Sequence, residues 1–397
     1  MMGTASLTVL STPLRSGVPP PVVPSRRRHV SWDLLRCGFV LLVVLYHTTH
    51  VAPIVHPELG PRPFAFSHQV GASLLLVISA YFACGTLRRS DVLRYWWSRM
   101  VRLLPAFLVS VLFTWLVLRY LGPAQWRTPT VADLLGNLLL LGNWKPTEFP
   151  YLDGSYWTLP LQLMAFTAAA LLWWSRWGRG KRLRALLWTA VLLPLAQWPL
   201  RVAGPPELYR MVVDGFGFHR VHLFVAGVAI WLWANNRLGS WHCFLFLTVC
   251  MAAHVVHNIT FDAGGWHYDW AAVTGICGGI VLICLASRRP DWNRWVPTRL
   301  RRLLQWMAGI SYGVYLIHQT VGYTVMRHMH DLGANPLLQS VGAMVTALVL
   351  GWLLTRFVER PAYRWLMDHY EDLTGLIGLG PGTGRAPRIV AAGRWAR

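Results

Sequence analysis

Two polar side chains stand out in the apolar stretch at residues 31–50, SWDLLRCGFVLLVVLYHTTH. Arg36 and His47 lie eleven residues apart. In an α-helix eleven residues make about three turns, so both side chains share one face, about 16 Å apart along the axis. They are too far apart to touch, but they can line two ends of one passage. A guanidinium can grip an anion, and an imidazole, neutral near pH 7, can take a proton. Setting an Arg in such a helix costs about 2.5–3.5 kcal/mol even on lenient insertion scales, and a polar site between helices is the usual compensation. A plainer explanation exists for each alone: an Arg that snorkels to headgroups and a His that hydrogen-bonds a neighbouring helix. Their sharing a face favours a site.

Further polar residues recur along the chain. Asp33, three residues before Arg36, can pair with it. Arg99 and Arg102, in RMVRLLP, share a helix face and could hold phosphates bidentately, or could simply anchor a span end. Pro105 fits a first-turn position. Asp153-Gly154 signals a turn, followed by Trp157 at an interface and Gln162 about one turn into the next apolar run. Ser311, Tyr315 and His318 fall at i, i+4 and i+7, a polar stripe that must face protein or a cavity rather than lipid. Glu359 and Arg360 close the last apolar run.

The elements that carry these residues are membrane spans. Of 397 residues 54% are hydrophobic and only 13% charged, against about 25% charged in a soluble domain. Apolar runs at about 31–53, 68–87, 101–121, 157–175, 184–203, 218–236, 241–259, 268–287, 303–325 and 338–358 predict an all-α, polytopic transmembrane helix bundle of about ten spans. The run 131–143 is too short to cross a core of about 30 Å and reads as interfacial or re-entrant. With both termini cytoplasmic, roughly three quarters of the 37 Lys and Arg fall on the inner side, as the positive-inside rule requires. The net charge of +21 is then a matter of topology; no soluble basic module for nucleic acid is visible.

Residues 1–30 read as a disordered cytoplasmic arm without a signal peptide, 31–365 as the transmembrane domain, and 366–397 as a flexible cytoplasmic tail. The six cysteines lie in apolar runs without CxxC spacing and read as small core residues. The His219/His222 and His254/His257 pairs lack the further ligands a zinc site needs, so no metal is expected.

Taken in order, these motifs resemble the membrane acyltransferase-3 family across roughly residues 31–365. Arg36 and His47 match its R-x10-H signature, with Asp33 where the pattern often has an acid. The segment LLLVISAYF resembles its FFxxSGxL segment, with Ala80 for Gly, a change expected to alter close helix packing. Arg99 and Arg102 match RxxRLxP; Trp157 to Gln162 (WTLPLQ) is similar to WSLxxE; residues 311–318 (SYGVYLIH) and 358–361 (VERP) match its late motifs.

The resemblance implies an integral membrane O-acyltransferase of a bacterial cell membrane. Its donor would be acyl-CoA, acetyl-CoA first among them, held by Arg36, Arg99 and Arg102. His47 would be catalytic, and the acceptor would be a hydroxyl of a sugar, glycolipid or natural product. Gln162, Ser311, Tyr315 and His318 are candidates for oxyanion or acceptor contacts; Asp33, Trp157 and Glu359 belong to the motifs. The departure at Gln162 matters because Gln, unlike Glu, cannot handle a proton. The competing expectation is a polysaccharide or glycolipid transporter or flippase on the same scaffold.

Overall fold

In lipid every backbone N–H must be satisfied within its own segment, so apolar runs fold as helices. The computed structural model describes residues 29–258, 260–262 and 265–376. The first run forms α1 (Val30–Tyr46), which continues into a π-helical turn at His47–Val51. There follow α2 (Gly71–Leu87), α3 (Val92–Tyr120), α4 (Thr158–Trp174), α5 (Gly180–Ala196), α6 (Val221–Ala234), α7 (Ser240–His257) and α8 (Trp270–Arg288). After these come α9 (Thr298–Ile317), α10 (Thr320–Asp331), α11 (Pro336–Leu354) and α12 (Arg360–Asp368). A short antiparallel hairpin pairs Thr260–Asp262 with Gly265–His267. Every expected span is helical. Among the described residues, by length and composition, seven helices can cross a membrane, or eight if the bent pair Glu207–Gly215 and Phe218–Ala234 is one span.

Three expectations change. The third span was read as starting at residue 101 with Pro105 in its first turn. The helix instead starts at Val92, because the Asp91 side chain accepts the N–H groups of Leu93 and Arg94, and Pro105 lies inside it. The ninth run is not one helix: it breaks at His318–Gln319 between α9 and α10. Finally, Cys277 is exposed rather than core, while Cys37, Cys243 and Cys250 are buried. The run at 131–143 forms an eight-residue helix, Val131–Leu138, and a 3-10 turn, about 12 Å of helix and too short to span. The arm at 1–28 and the tail from 377 lie outside the described residues; residues Tyr370–Leu376 are helical.

Two apolar clusters form the interior. One centres on α2, α6, α7 and α8 through Leu74, Val77, Ile230, Phe246 and Ile276. The other centres on α3, α4 and the end of α9 through Phe107, Val111, Leu159 and Leu316. α1 lies against α2 and α9, and α9 against α11.

The α2–α6 contact explains Ala80. A Cβ on Gly227 of α6 would sit 2.3 Å from the Val77 carbonyl oxygen and 2.7 Å from the Ala80 methyl. The small residue that permits close approach stands on the partner helix, and Ala80 fits against it. Gly227→Leu should therefore force α2 and α6 apart, costing about 1–3 kcal/mol. The check is thermal unfolding of purified protein: a clear fall in Tm is expected, and an unchanged Tm would show that the contact yields freely.

Candidate active site

On α1 the residues Arg36, Val40, Val43 and His47 follow one face at helical spacing. Arg36 and Val40 line a cavity of about 270 Å³, and Val43 packs on Tyr315 of α9. The cavity lies between the two apolar clusters, with Leu76 and Ile78 on one wall and Leu103 and Phe166 on the other. Its polar lining gathers Arg36, Arg99, Arg102, Ser79, Thr86, Thr158, Gln162, Ser311 and Tyr315. Beyond Arg36, Arg102, Phe82 and Thr86, which line both spaces, opens a wider vestibule of about 540 Å³ that also meets His29, Asp33, Arg89 and Asn235.

Arg99 is the most committed of the arginines. Its Nη2 donates to Thr86 Oγ1 at 2.6 Å and to the Phe82 carbonyl at 3.2 Å. The guanidinium stands over the rings of Tyr95 and Phe166. Its buried Nε has no hydrogen-bond partner among the described residues. Arg36 and Arg102 both feel the charge of Glu359, which accepts a hydrogen bond from Thr355 in a second π-helical turn, Thr355–Glu359. Across the cavity Ser79 Oγ donates to Gln162 Oε1 at 3.2 Å. That leaves the Gln162 amino group to serve as a donor.

His47 and His318 form a pair at the far end. His318 is fully buried, and its Nδ1 lies 2.8 Å from the Tyr315 carbonyl oxygen. A carbonyl only accepts, so this nitrogen carries the proton of the neutral ring and Nε2 carries the lone pair. His318 Nε2 lies 3.0 Å from His47 Nδ1, which is also 2.9 Å from the Val43 carbonyl. Both neighbours accept, so His47 Nδ1 is the protonated nitrogen. The lone pair of His47 is thereby assigned to Nε2. Neither imidazole is on the wall of the arginine cavity. Tyr315 links the two regions: it lines the cavity, its hydroxyl meets Thr158 Oγ1 at 3.0 Å, and its ring lies 5.8 Å from that of His318.

The break that follows His318, itself still helical with its N–H on the Val314 carbonyl, has a tertiary partner. Asp153, fully buried, accepts the Ser155 N–H at 2.9 Å, the Ser155 hydroxyl at 2.6 Å and the Thr320 N–H at 2.9 Å. Thr320 also donates its hydroxyl to the Leu152 carbonyl. One carboxylate thus caps the start of α10 and ties it to the turn before α4. Its charge acts on His47.

Of the residues singled out in the sequence, Arg36, Arg99, Arg102, Gln162, Ser311 and Tyr315 share the cavity, and His318 joins His47. Asp33 lies on the vestibule wall. Trp157 packs beside Tyr315 and Val43 and carries Arg220 over its ring at 5.4 Å. The histidine pairs meet each other instead, with His222 Nε2 3.1 Å from His254 Nδ1. In sequence Ser79 and Thr86 look like ordinary small residues in an apolar run and Asp153 like half of a turn, so their places here come from tertiary contact alone.

The acyltransferase-3 family, described as an acyltransferase domain, matches residues 29–356. No curated protein and no solved structure matches the chain.

Removing the Asp153 carboxylate strands two buried N–H donors and a hydroxyl. Asp153→Ala should lower stability by about 2–4 kcal/mol, read as a fall in Tm, with Asp153→Asn intermediate because one amide oxygen still accepts. Equal Tm values for all three proteins would contradict the capping role.

Proposed function

The chain belongs to the acyltransferase-3 family, and from that premise we propose that this multi-pass membrane acyltransferase moves an acyl group, acetyl in the simplest case, from acyl-CoA to a hydroxyl of a sugar, glycolipid or natural product. The observation that carries the reading is a vestibule and cavity lined by arginines that end at Tyr315, with the His47–His318 pair beside it. A polyanionic donor fits that lining: Arg36, Arg99 and Arg102 offer a cluster of N–H donors, and the buried Arg99 Nε seeks an acceptor. The smaller inner cavity, about 270 Å³, offers the thioester arm apolar walls at Val40, Leu75, Leu76 and Phe166. By the positive-inside rule the arginine end faces the cytoplasm, where acyl-CoA is made.

In the transfer, His47 Nε2 takes the acceptor's O–H proton while the oxygen–carbon bond forms. The carbon–sulfur bond then breaks, and the same proton passes to the departing thiolate, leaving ester and free thiol. His318 holds the His47 Nδ1 proton throughout, so Nε2 is the nitrogen that takes up and returns the transferred proton. The Gln162 amino group donates to the oxygen that gains charge, while the Tyr315 hydroxyl already donates to the Ser155 carbonyl at 3.2 Å. Gln162 acts here as a neutral donor, so this chain needs no carboxylate at that position for the step.

Thioester consumption by purified protein with labelled acetyl-CoA, in the presence of native membranes as acceptor, tests this. His47→Ala should lower turnover by about 10²–10⁴-fold. Arg99→Met should raise the donor KM by about 10–100-fold, the worth of a charge-assisted hydrogen bond of about 1.5–3 kcal/mol, with kcat changed much less. Undiminished turnover in folded His47→Ala protein would overturn the reading.

A further inference from the structure

Asp153 is a fully buried carboxylate that, among the described residues, is met by neutral donors: the Ser155 N–H, the Ser155 hydroxyl and the Thr320 N–H. The other buried carboxylates stand near arginines. Asp133 meets Arg127 at 2.9 Å, and Asp33 shares the vestibule wall with Arg36. A buried charge without an opposite charge is expensive to keep. The charged group that acts on Asp153 is His47.

A chain of hydrogen bonds joins the carboxylate to the imidazole pair. Ser155 is held on Asp153 by its N–H at 2.9 Å and its hydroxyl at 2.6 Å. Its carbonyl accepts the Tyr315 hydroxyl at 3.2 Å, and its Oγ lies 3.1 Å from the Tyr315 carbonyl. The one Ser155 hydroxyl proton has two acceptors, and the nearer, charged Asp153 oxygen holds it. The Tyr315 carbonyl accepts from His318 Nδ1, and His318 Nε2 accepts from His47 Nδ1. The second Asp153 oxygen takes the N–H of Thr320, two residues past His318. Gly154 permits this closeness, since a Cβ there would come within 2.6 Å of the Gln319 amide nitrogen.

We infer that Asp153 is a positioning residue of the transfer: its fixed negative charge balances the imidazolium that His47 becomes while it holds the acceptor's proton. This rests on the transfer reading above. As the acceptor oxygen bonds the acyl carbon, its proton moves to His47 Nε2, and a cation forms inside an apolar bundle. It persists until the carbon–sulfur bond breaks and the proton leaves with the thiolate. The cavity arginines oppose a further cation; Asp153 offsets them and itself neither takes nor gives a proton. Of the groups around His47, His318 and Tyr46 are neutral neighbours, at 4.9 Å and 5.1 Å between ring centres. Tyr156, Tyr315 and Tyr323 also lie in the field of Asp153. Gln162 brings no charge, so Asp153 is the carboxylate that the segment 153–174 carries to the site.

The experiment is a pH–rate profile of the full chain in lipid nanodiscs, with labelled acetyl-CoA and native membranes, well below each variant's Tm. Asp153→Asn keeps an acceptor oxygen and loses the charge. It should lower kcat about 10²-fold, leave the donor KM within about twofold, and move the acidic limb of kcat/KM down by about one pH unit or more. The sign follows because a carboxylate favours the protonated imidazole, and its loss lets the base stay neutral to lower pH. Ser155→Ala disturbs the same frame but keeps the charge, so its acidic limb should stay in place. An unmoved limb in Asp153→Asn, an equal shift in Ser155→Ala, or unchanged kcat overturns the inference. Carbon-13 NMR of aspartate-labelled wild type, with Ser155→Ala marking the Asp153 signal, needs no Asp153 variant. The carboxylate should stay ionised across the pH range of turnover, and a neutral carboxyl there overturns the inference too. Wild type that consumes no thioester overturns the transfer reading and this inference with it, whereas normal turnover with an unmoved limb overturns this inference alone.

Discussion

One hydrogen bond organises the chemistry of this protein: His318 Nε2 to His47 Nδ1, 3.0 Å long. An imidazole can act as a base from either nitrogen, and a base pointing the wrong way is useless to a substrate. The chain Tyr315 carbonyl, His318, His47 removes the ambiguity, because each link has one possible donor. The His47 Nδ1 proton faces two acceptors, His318 Nε2 and the Val43 carbonyl, and Nε2 is left as the bare nitrogen. His318 sits at the helical end of α9, its N–H still on the Val314 carbonyl, and the chain breaks directly after it.

The break in turn depends on Asp153. A buried carboxylate is tolerated only when its lone pairs are met, and here three donors meet it. The same group joins the turn before α4 to the start of α10, and so holds Tyr315, His318 and Gln319 in relation to α1. The arginine-lined cavity and the imidazole pair are thus arranged around one polar knot in an otherwise apolar bundle. The two π-helical turns, beginning at His47 and ending at Glu359, fall at residues the motifs had already marked. Local widening of a helix at functional positions is a recurring pattern.

What could be read from sequence was what regular helix geometry preserves. Arg36 and His47 share a face because α1 stays regular to Tyr46, and the π-turn starts only at His47, too late to disturb the spacing. Ser311 and Tyr315 reached the cavity wall for the same reason. What stayed hidden was set by tertiary contact. The split of the ninth run rests on Asp153, whose sequence neighbourhood looks like any Asp-Gly turn. The early start of α3 rests on a cap at Asp91 that lies among polar residues outside the apolar run. Ser79 gains meaning only from Gln162, eighty-three residues away. Gly227 makes the departure at Ala80 harmless, and no spacing within one segment could have shown that.

The most direct test of the central claim is the tautomer of His47. Solid-state nitrogen-15 NMR of histidine-labelled protein in lipid, with His47→Ala and His318→Ala used for assignment, reads the protonation of each ring nitrogen. The account predicts a protonated Nδ1 and a bare Nε2 on His47, with a through-hydrogen-bond coupling from His47 Nδ1 to His318 Nε2 that disappears in His318→Ala. A His47 protonated on Nε2, or showing no coupling to His318, would contradict it.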